Sequence, residues 1–184
     1  FRTVVRVAYD EHNLYVAFHC YDDDPSKIHS TFTRRDNNFA DDNVLVAIDT
    51  FGDATRAYEI GCNPYGIQCD FLYSSTGGED SRYDLIFDSA ARITDEGWEA
   101  EFAIPFSSLR FPDTPEQTWR VDFWRNQPRD VRYQASWAAY DRDEQCWPCQ
   151  WGTLTGIEGV DPAGGLELIP AYTYNTESER RKDG

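Results

Sequence analysis

Residues 41–73, DDNVLVAIDTFGDATRAYEIGCNPYGIQCDFLY, decide the fold, because they predict three consecutive β-strands joined by two turns. In the first of these strands both alternating sets of residues begin apolar: Val44, Val46 and Ile48 on one face, Leu45 and Ala47 on the other. Apolar residues on both faces are typical of a central strand that is covered on both sides. The stretch therefore predicts the middle of a sheet packed between two other layers.

The turns inside this stretch have the residues that tight turns require. Phe51-Gly52-Asp53 joins the first two predicted strands, and Asn63-Pro64-Tyr65-Gly66 joins the second and third. Asn is favoured at the first position of such a turn, Pro fixes φ near −65° at the second, and Gly is favoured at the last. The three strands therefore form a β-meander.

Similar alternation continues on either side of the meander. A hairpin, VRVAYDEHNLYVAFHCYD, precedes it, and further strands are predicted at 32–36, 86–93, 98–104, 119–124, 133–138 and 151–155. Residues 74–83 predict a surface loop, and 106–109 predict at most one short helical turn. No segment keeps a 3.6-residue period, so the chain is predicted to be all-β. About ten short strands favour a two-sheet antiparallel β-sandwich of jelly-roll or immunoglobulin-like type, with Trp98 and Trp119 in its core.

Composition limits the partners that the chain can have. Its 184 residues suit one domain, and 33 acidic against 17 basic residues give a net charge of −16. That charge repels nucleic acid and anionic membrane surfaces, whereas it favours cations and tolerates neutral ligands. No apolar run approaches membrane-spanning length, so no direct membrane insertion of this segment is expected. The chain starts within a strand pattern and is interpreted as a segment of a longer protein.

Five cysteines bear on the redox environment of the protein. Cys146-Trp-Pro-Cys149 has the spacing of a redox motif but lacks a βαβ context, so a structural disulfide is predicted in preference to redox chemistry or zinc. Cys62 and Cys69 flank the second turn, and a bridge between them is left open. A structural disulfide favours an oxidising compartment.

Aromatic residues late in the chain suggest a ligand platform. Sugars bind by stacking their C–H faces on aromatic rings while planar polar side chains take their hydroxyl groups. The candidates that combine these properties are Trp124, Trp137, Trp147, Arg125 and Gln150. Trp124 lies opposite the core-facing set of its strand and is therefore predicted to be exposed or to lie under a loop. The alternative is that these tryptophans only fill the sandwich core.

A second group of candidates is charged. Arg34, Arg35 and Asp36 are predicted to clamp a ligand, since the planar guanidinium group matches carboxylates and hydroxyls. Asp41, Asp42 and Asp70 are predicted to hold a structural calcium ion, which prefers several carboxylate oxygens. The alternatives are an ion-pair network for the first group and solvated loops for the second.

The hairpin, the Arg34-Arg35-Asp36 run, the meander and the block DSAARITDEGWEAEFAIPFSSLRF together resemble the family-nine carbohydrate-binding modules and their DOMON-like relatives. The resembling subgroup lies N-terminal to an outer-membrane-type β-barrel in large bacterial proteins. The likeness covers residues 1–160, whereas 161–184 resemble a linker and the start of a following, truncated segment. The Cys146–Cys149 segment is not part of the family pattern.

The resemblance implies a family-nine-like β-sandwich that binds carbohydrate, often with structural calcium, in a periplasmic, outer-membrane-associated or secreted protein. In such modules two tryptophans enclose a terminal sugar. Haem, found among DOMON relatives usually with a Met ligand, is not expected because the chain has no Met.

Three functions follow, in order of preference. The first is carbohydrate binding by a non-catalytic module, in the setting of polysaccharide catabolism. The second is a structural or interaction domain that docks on its own C-terminal β-barrel and binds no sugar. The third is a glycoside hydrolase domain, which is disfavoured because no stretch places two carboxylates in a defined cleft. A serine-based hydrolase is disfavoured as well, since no G-x-S-x-G elbow occurs.

Overall fold

Alternation of apolar side chains sets the architecture of the computed structural model, which describes residues 2–162. In chain order the strands are β1 (Thr3–Tyr9), β2 (Asn13–Tyr21), β3 (Asn43–Asp49), β4 (Arg56–Cys62), β5 (Gln68–Ser74), β6 (Gly78–Asp80), β7 (Asp88–Thr94), β8 (Gly97–Pro105), β9 (Glu116–Pro128), β10 (Arg132–Ser136) and β11 (Gly152–Glu158). All their pairings are antiparallel. The predicted all-β sandwich is confirmed.

Two sheets make the sandwich. The first has the order β1-β2-β8-β7, and the second has the order β10-β9-β3-β4-β5-β6, with β11 also paired to β9. The predicted meander is β3-β4-β5, at the centre of the second sheet. β9 is long enough to pair with β10 along its second half and with β11 along its first half.

One face of each sheet packs against the other sheet to form the main core. The inward residues follow the period of two that the sequence predicted, and Trp98 and Trp119 are both completely buried among them. Side chains of this core from the central strands are Leu14, Val16, Phe18, Val44, Val46, Ile48, Ile60, Phe102, Ile104 and Val121. Burial of such residues is the main stabilising contribution to a sandwich.

Local predictions were wrong in two places. No strand forms at 32–36; instead Asp36, at φ +62°, donates its backbone N–H to the Gln68 carbonyl at 3.1 Å. The predicted loop 74–83 contains the short strand β6. Helical structure in the described residues consists of three single 3-10 turns, Pro25–Lys27, Phe106–Ser108 and Pro148–Gln150. None of these is of a length to cross a membrane.

The cysteine predictions had different outcomes. Cys146 and Cys149 form the predicted disulfide, with their Cα atoms 5.3 Å apart. The open question of a bridge from Cys62 to Cys69 is answered in the negative, because Cys69 pairs with Gly61 and the two thiols point to opposite faces of the sheet. Of the segment predicted as a linker and following strand, residues 163–184 lie outside the described part of the chain.

Candidate functional site

The outer face of the second sheet, away from the main core, is also covered. Two small apolar clusters lie there, centred on Leu45 and Phe71 and on Ala47 and Trp151. Between them opens a cleft of about 290 Å³, hereafter the outer-face cleft. The two-sided apolar pattern of β3 is explained by this second covered face.

Strand register builds the floor of the cleft. Ala47 of β3 lies opposite Glu59 of β4, and Glu59 lies opposite Phe71 of β5. Leu45 completes the floor beside Ala47. Because Ala47 has only a methyl side chain, the floor is recessed between larger neighbours, which leaves space above Glu59.

Aromatic rings form the walls. Trp124 from β9 and Trp147 from the loop 137–151 lie with their ring centroids 5.9 Å apart and their planes at 59°. A sugar held between two rings needs two van der Waals spacings, roughly 7–8 Å in total. The two indoles therefore form one composite wall and do not enclose a sugar between them. The rings of Phe39 and Phe71, 5.2 Å apart, line the cleft as a second aromatic pair.

Asp122 fastens the loop that carries Trp147 to the sheet. Its carboxylate accepts a hydrogen bond from the Tyr140 hydroxyl at 2.5 Å and another from the Ala138 N–H at 2.8 Å. Burial raises the pKa of Asp122, and burial together with this hydrogen bond raises that of Tyr140. Trp147 then packs on Tyr73 and on Trp151, with centroids 5.2 and 5.0 Å away.

Glu59 is the chemically unusual group of the cleft. It is only 6% exposed, and its Oε1 has no hydrogen-bond partner. Burial, with a smaller effect from the nearby Glu79 carboxylate, raises the pKa of Glu59 to about 8. At neutral pH this carboxyl is therefore mostly protonated, so that it can donate a hydrogen bond as well as accept one.

Further polar groups line the cleft. Arg132 and Gln134 of β10 are exposed there, and the Arg132 Nη2 donates to the Asn126 Oδ1 at 3.2 Å. The Asn126 amide in turn donates to the Asn43 Oδ1 at 2.6 Å. A composite aromatic wall, a recessed acid and planar amide and guanidinium groups together suit a neutral polyhydroxylated ligand.

Sequence reasoning missed Glu59, Glu79, Arg132 and Gln134 as site residues. A signal for Glu59 was present, because an acid in the middle of a meander covered on both faces has to be buried. Glu79 and the β10 residues gave no such signal, since they reach the cleft only through strand pairing.

The predicted aromatic candidates are divided between two places. Trp124 and Trp147 meet in the outer-face cleft. Trp137 is 61% exposed at a second groove beside β1, which Trp124 also lines, and it packs there against Phe123 with centroids 5.9 Å apart. Trp137 therefore contributes to a different surface.

Two predicted polar candidates point away from the outer-face cleft. Arg125 is 2% exposed and donates to the carbonyls of Arg2 at 3.2 Å and Tyr21 at 2.8 Å. Gln150 accepts from the Asp141 N–H at 2.7 Å within the covering loop. Both side chains thus have structural partners.

The predicted clamp lies at the edge of β5. Arg35 pairs with Asp70 at 2.5 Å and donates to the Leu85 carbonyl at 2.8 Å. Asp36 accepts the Asp70 N–H at 2.9 Å, whereas Arg34 is exposed. This arrangement is the ion-pair network that was the alternative interpretation. It ties the segment before Phe39 to the sheet and so supports that side of the cleft.

The carboxylates predicted for calcium lie in two groups, and the first is occupied by protein donors. Asp41 accepts from Asn63 Nδ2 at 2.8 Å and lies 2.9 Å from the His29 Nδ1. Asp42 pairs with Arg129 at 2.8 Å. These bonds give both carboxylates a structural role.

Asp70 belongs to the second group. With Asp36 and Asp84 it forms, within residues 2–162, a set whose carboxylate oxygens all lie within 4.8 Å of one another. The Arg35 guanidinium already supplies a positive charge there, 2.5 Å from Asp70 and 3.7 Å from Asp84. Calcium at this set would have to displace that cation, so the donors fit it poorly as arranged.

Comparisons with known proteins add to this geometry. The family model described as "Carbohydrate family 9 binding domain-like" matches residues 1–156. No curated protein sequence matches the chain.

Two solved structures share the fold. A Bacteroides uniformis protein for which carbohydrate binding has been suggested superposes with a TM-score of 0.68 at 15% identity, covering 83% of this chain and 77% of that one. A family 9 carbohydrate-binding module from Caldicellulosiruptor kristjanssonii in complex with cellotriose superposes with a TM-score of 0.57 at 15% identity, covering 91% and 80%.

Proposed function

Because the chain belongs to the carbohydrate family 9 binding domain-like family, we propose that it binds carbohydrate in the outer-face cleft as a non-catalytic module. The observation that supports this site is the composite Trp124–Trp147 wall above a recessed carboxyl group. The volume of the outer-face cleft, about 290 Å³, is at the small end for ligand pockets. This size suits the end of a glycan or a short oligosaccharide.

Each part of the cleft has a role in this proposal. The indole faces of Trp124 and Trp147 stack on sugar C–H groups. Protonated Glu59 donates a hydrogen bond from the floor, while Gln134 and Arg132 bond hydroxyl groups at the rim.

Calorimetric titration of the protein with cellotriose and other neutral oligosaccharides tests the site. Replacement Trp124→Ala or Trp147→Ala should weaken binding about ten-fold or more, since a buried tryptophan is often the dominant contact of an interface. Trp137→Ala is the matched control, because Trp137 is an exposed tryptophan in a different groove. Trp124 lines both grooves, so Trp147→Ala distinguishes them: equal loss in all three variants, or loss in Trp137→Ala while Trp147→Ala binds normally, would contradict this site.

The alternative functions predict other results. A glycosidase would release shorter products from the oligosaccharide and would lose that activity in Glu59→Gln; we expect no products. A domain that only docks on its own β-barrel or another partner would bind none of the sugars.

We further propose that the protein works outside the reducing cytosol, as a periplasmic, outer-membrane-associated or secreted module in polysaccharide catabolism. The Cys146–Cys149 disulfide supports this location, because such bonds persist in oxidising compartments. Thiol labelling of protein taken directly from the producing cell tests it: both cysteines should resist the reagent until a reductant is added.

We also propose a structural calcium ion, with Asp36, Asp70 and Asp84 as its candidate ligands once it displaces the Arg35 guanidinium from Asp70 and Asp84. Thermal unfolding should then show a higher Tm in calcium than in sodium chloride of equal ionic strength, and Asp84→Asn should remove the difference. An unchanged Tm would contradict calcium at this position.

A further inference from the structure

The floor of the outer-face cleft carries a carboxyl group without a protein partner. Glu59 is more than nine-tenths buried, lines the cleft, and leaves its Oε1 without a hydrogen bond. Buried acids are normally paired or hydrogen-bonded, because a lone carboxylate is costly to remove from water. Because Glu59 lines an open cleft while its Oε1 is sealed from solvent, a ligand that supplies the missing partner has to approach through the small exposed part of this carboxyl group.

The charged groups around Glu59 indicate which charge the ligand should carry. Glu79 from β6 lines the same cleft and disfavours a second negative charge. Asp122 of β9, opposite Ala47, is engaged by Tyr140 and Ala138. Arg132 from β10 is a cation in the lining, but it is exposed and bonded to Asn126. The base of the cleft is therefore acidic, with its cation at the rim.

This inference rests on the function proposed above. We propose that the cleft prefers glycans that carry an amino group, such as glucosamine units, and that their ammonium group pairs with Glu59 and Glu79. An ammonium group offers three donors and a positive charge, which pairs with the accessible part of the Glu59 carboxylate and offsets the repulsion from Glu79. Glycans built of uronic acids bring a further negative charge beside Glu79 and are disfavoured for the same reason.

Pairing with an ammonium group should change the protonation state of Glu59. Burial raises the pKa of Glu59 to about 8, so at about pH 6.5 the free cleft holds the protonated acid. An ammonium group favours the carboxylate form. Binding of an amino sugar in its ammonium form should therefore move the Glu59 proton to the buffer. A free amine would take that proton itself, and binding of a neutral sugar leaves it in place.

Calorimetry with cellotriose and the fully deacetylated glucosamine trimer tests this preference, since both are β-1,4-linked trimers that differ at C2. Measurements at about pH 6.5 in two buffers of different ionisation enthalpy report the protons released. We expect the glucosamine trimer to bind about ten-fold more tightly than cellotriose, which corresponds to about 1.4 kcal/mol, with release approaching one proton per site.

Variants separate a local charge effect from the net charge of the whole protein. Glu59→Gln should bring the two affinities together and abolish proton release, and Glu79→Gln, at an exposed position, should reduce the preference without risk to folding. Glu101→Gln removes the same charge from an exposed site on the first sheet and should leave the preference unchanged.

Other outcomes overturn one proposal or both. Equal or tighter binding of cellotriose, or a preference that survives Glu59→Gln, overturns the amino-sugar inference alone, provided that Trp124→Ala still weakens cellotriose binding. Failure of the folded protein to bind either trimer overturns the proposed function and the inference with it.

Discussion

At the scale of single residues, Glu59 couples the stability of the sandwich to its binding chemistry. The middle of β4 is covered on both faces, so only 6% of Glu59 is exposed, and its Oε1 has no protein donor. Such a group is tolerated by staying protonated, as its pKa of about 8 indicates. Glu59 therefore lowers the stability of the folded protein at neutral pH, and the proposed ligand would offset this cost.

The pH dependence of unfolding follows from that pKa. The ordinary pKa of Glu59 is 4.5, and burial raises it to about 8 in the folded protein. Between these values the folded state holds a proton that the unfolded state has released. The Glu59 contribution is thus fully present below about pH 4.5, and the free energy of unfolding falls by about 1.4 kcal/mol per pH unit up to about pH 8.

Glu59→Gln should remove this component, because an amide of similar shape does not titrate. Denaturant unfolding of the protein and the variant between about pH 5 and pH 8 measures the difference, with the variant gaining relative stability as pH rises. Glu101→Gln, an exposed site on the first sheet, is the control and should follow the unchanged protein. Parallel curves for Glu59→Gln and the unchanged protein would contradict the raised pKa.

At the scale of elements, the sequence predicted the strands well and the cleft only in part. Alternation and turn residues were enough for the meander and for β8, because each pattern is local. β6 was missed because its three residues, Gly78–Asp80, lie in a Gly- and Ser-rich stretch. The joining of Phe39, Glu79 and Trp147 at one cleft depends on pairing and loop packing, which no local pattern encodes.

The loop 137–151 determines the position of Trp147, and Asp122 anchors it. Tyr140→Phe removes the hydroxyl donor and leaves the buried carboxylate with backbone N–H partners only. We expect a loss of about 1–3 kcal/mol in the free energy of unfolding. Weaker sugar binding should accompany it, since Trp147 is held less firmly. Denaturant unfolding and calorimetric titration measure the two effects.

Tyr15→Phe is the matched control for this prediction. Tyr15 also donates to an aspartate, Asp10, at 2.8 Å, but both side chains are exposed on the first hairpin. Its removal should cost less than about 0.5–1 kcal/mol and leave sugar binding unchanged. Equal losses of unfolding free energy in the two variants would contradict the prediction that burial of Asp122 makes its hydrogen bond from Tyr140 more stabilising.

At the scale of the whole molecule, the second sheet is covered on both faces and the first on one. The extra cover comes from the segment around Phe39 and from the loop 137–151, and the outer-face cleft lies between these two covers. The sequence contains the aromatic residues that form this second layer, but it did not predict that they lie together on one face. Aromatic residues outside the main core lie together on one outer face, and this concentrates the proposed binding surface there.

The net charge of −16 acts on the entire sandwich, because 33 acidic residues repel one another more in the folded than in the expanded state. Sodium chloride should therefore raise the Tm between about 20 and 200 mM, as the screening length shortens. A gain of about 1 kcal/mol corresponds to about 2–4 °C for a chain of this size. Buried pairs such as Arg129 with Asp42 are screened less, so they should not reverse the effect. Potassium chloride at equal ionic strength should give the same Tm, whereas a Tm that falls with either salt would mean that attractive pairs outweigh the net repulsion.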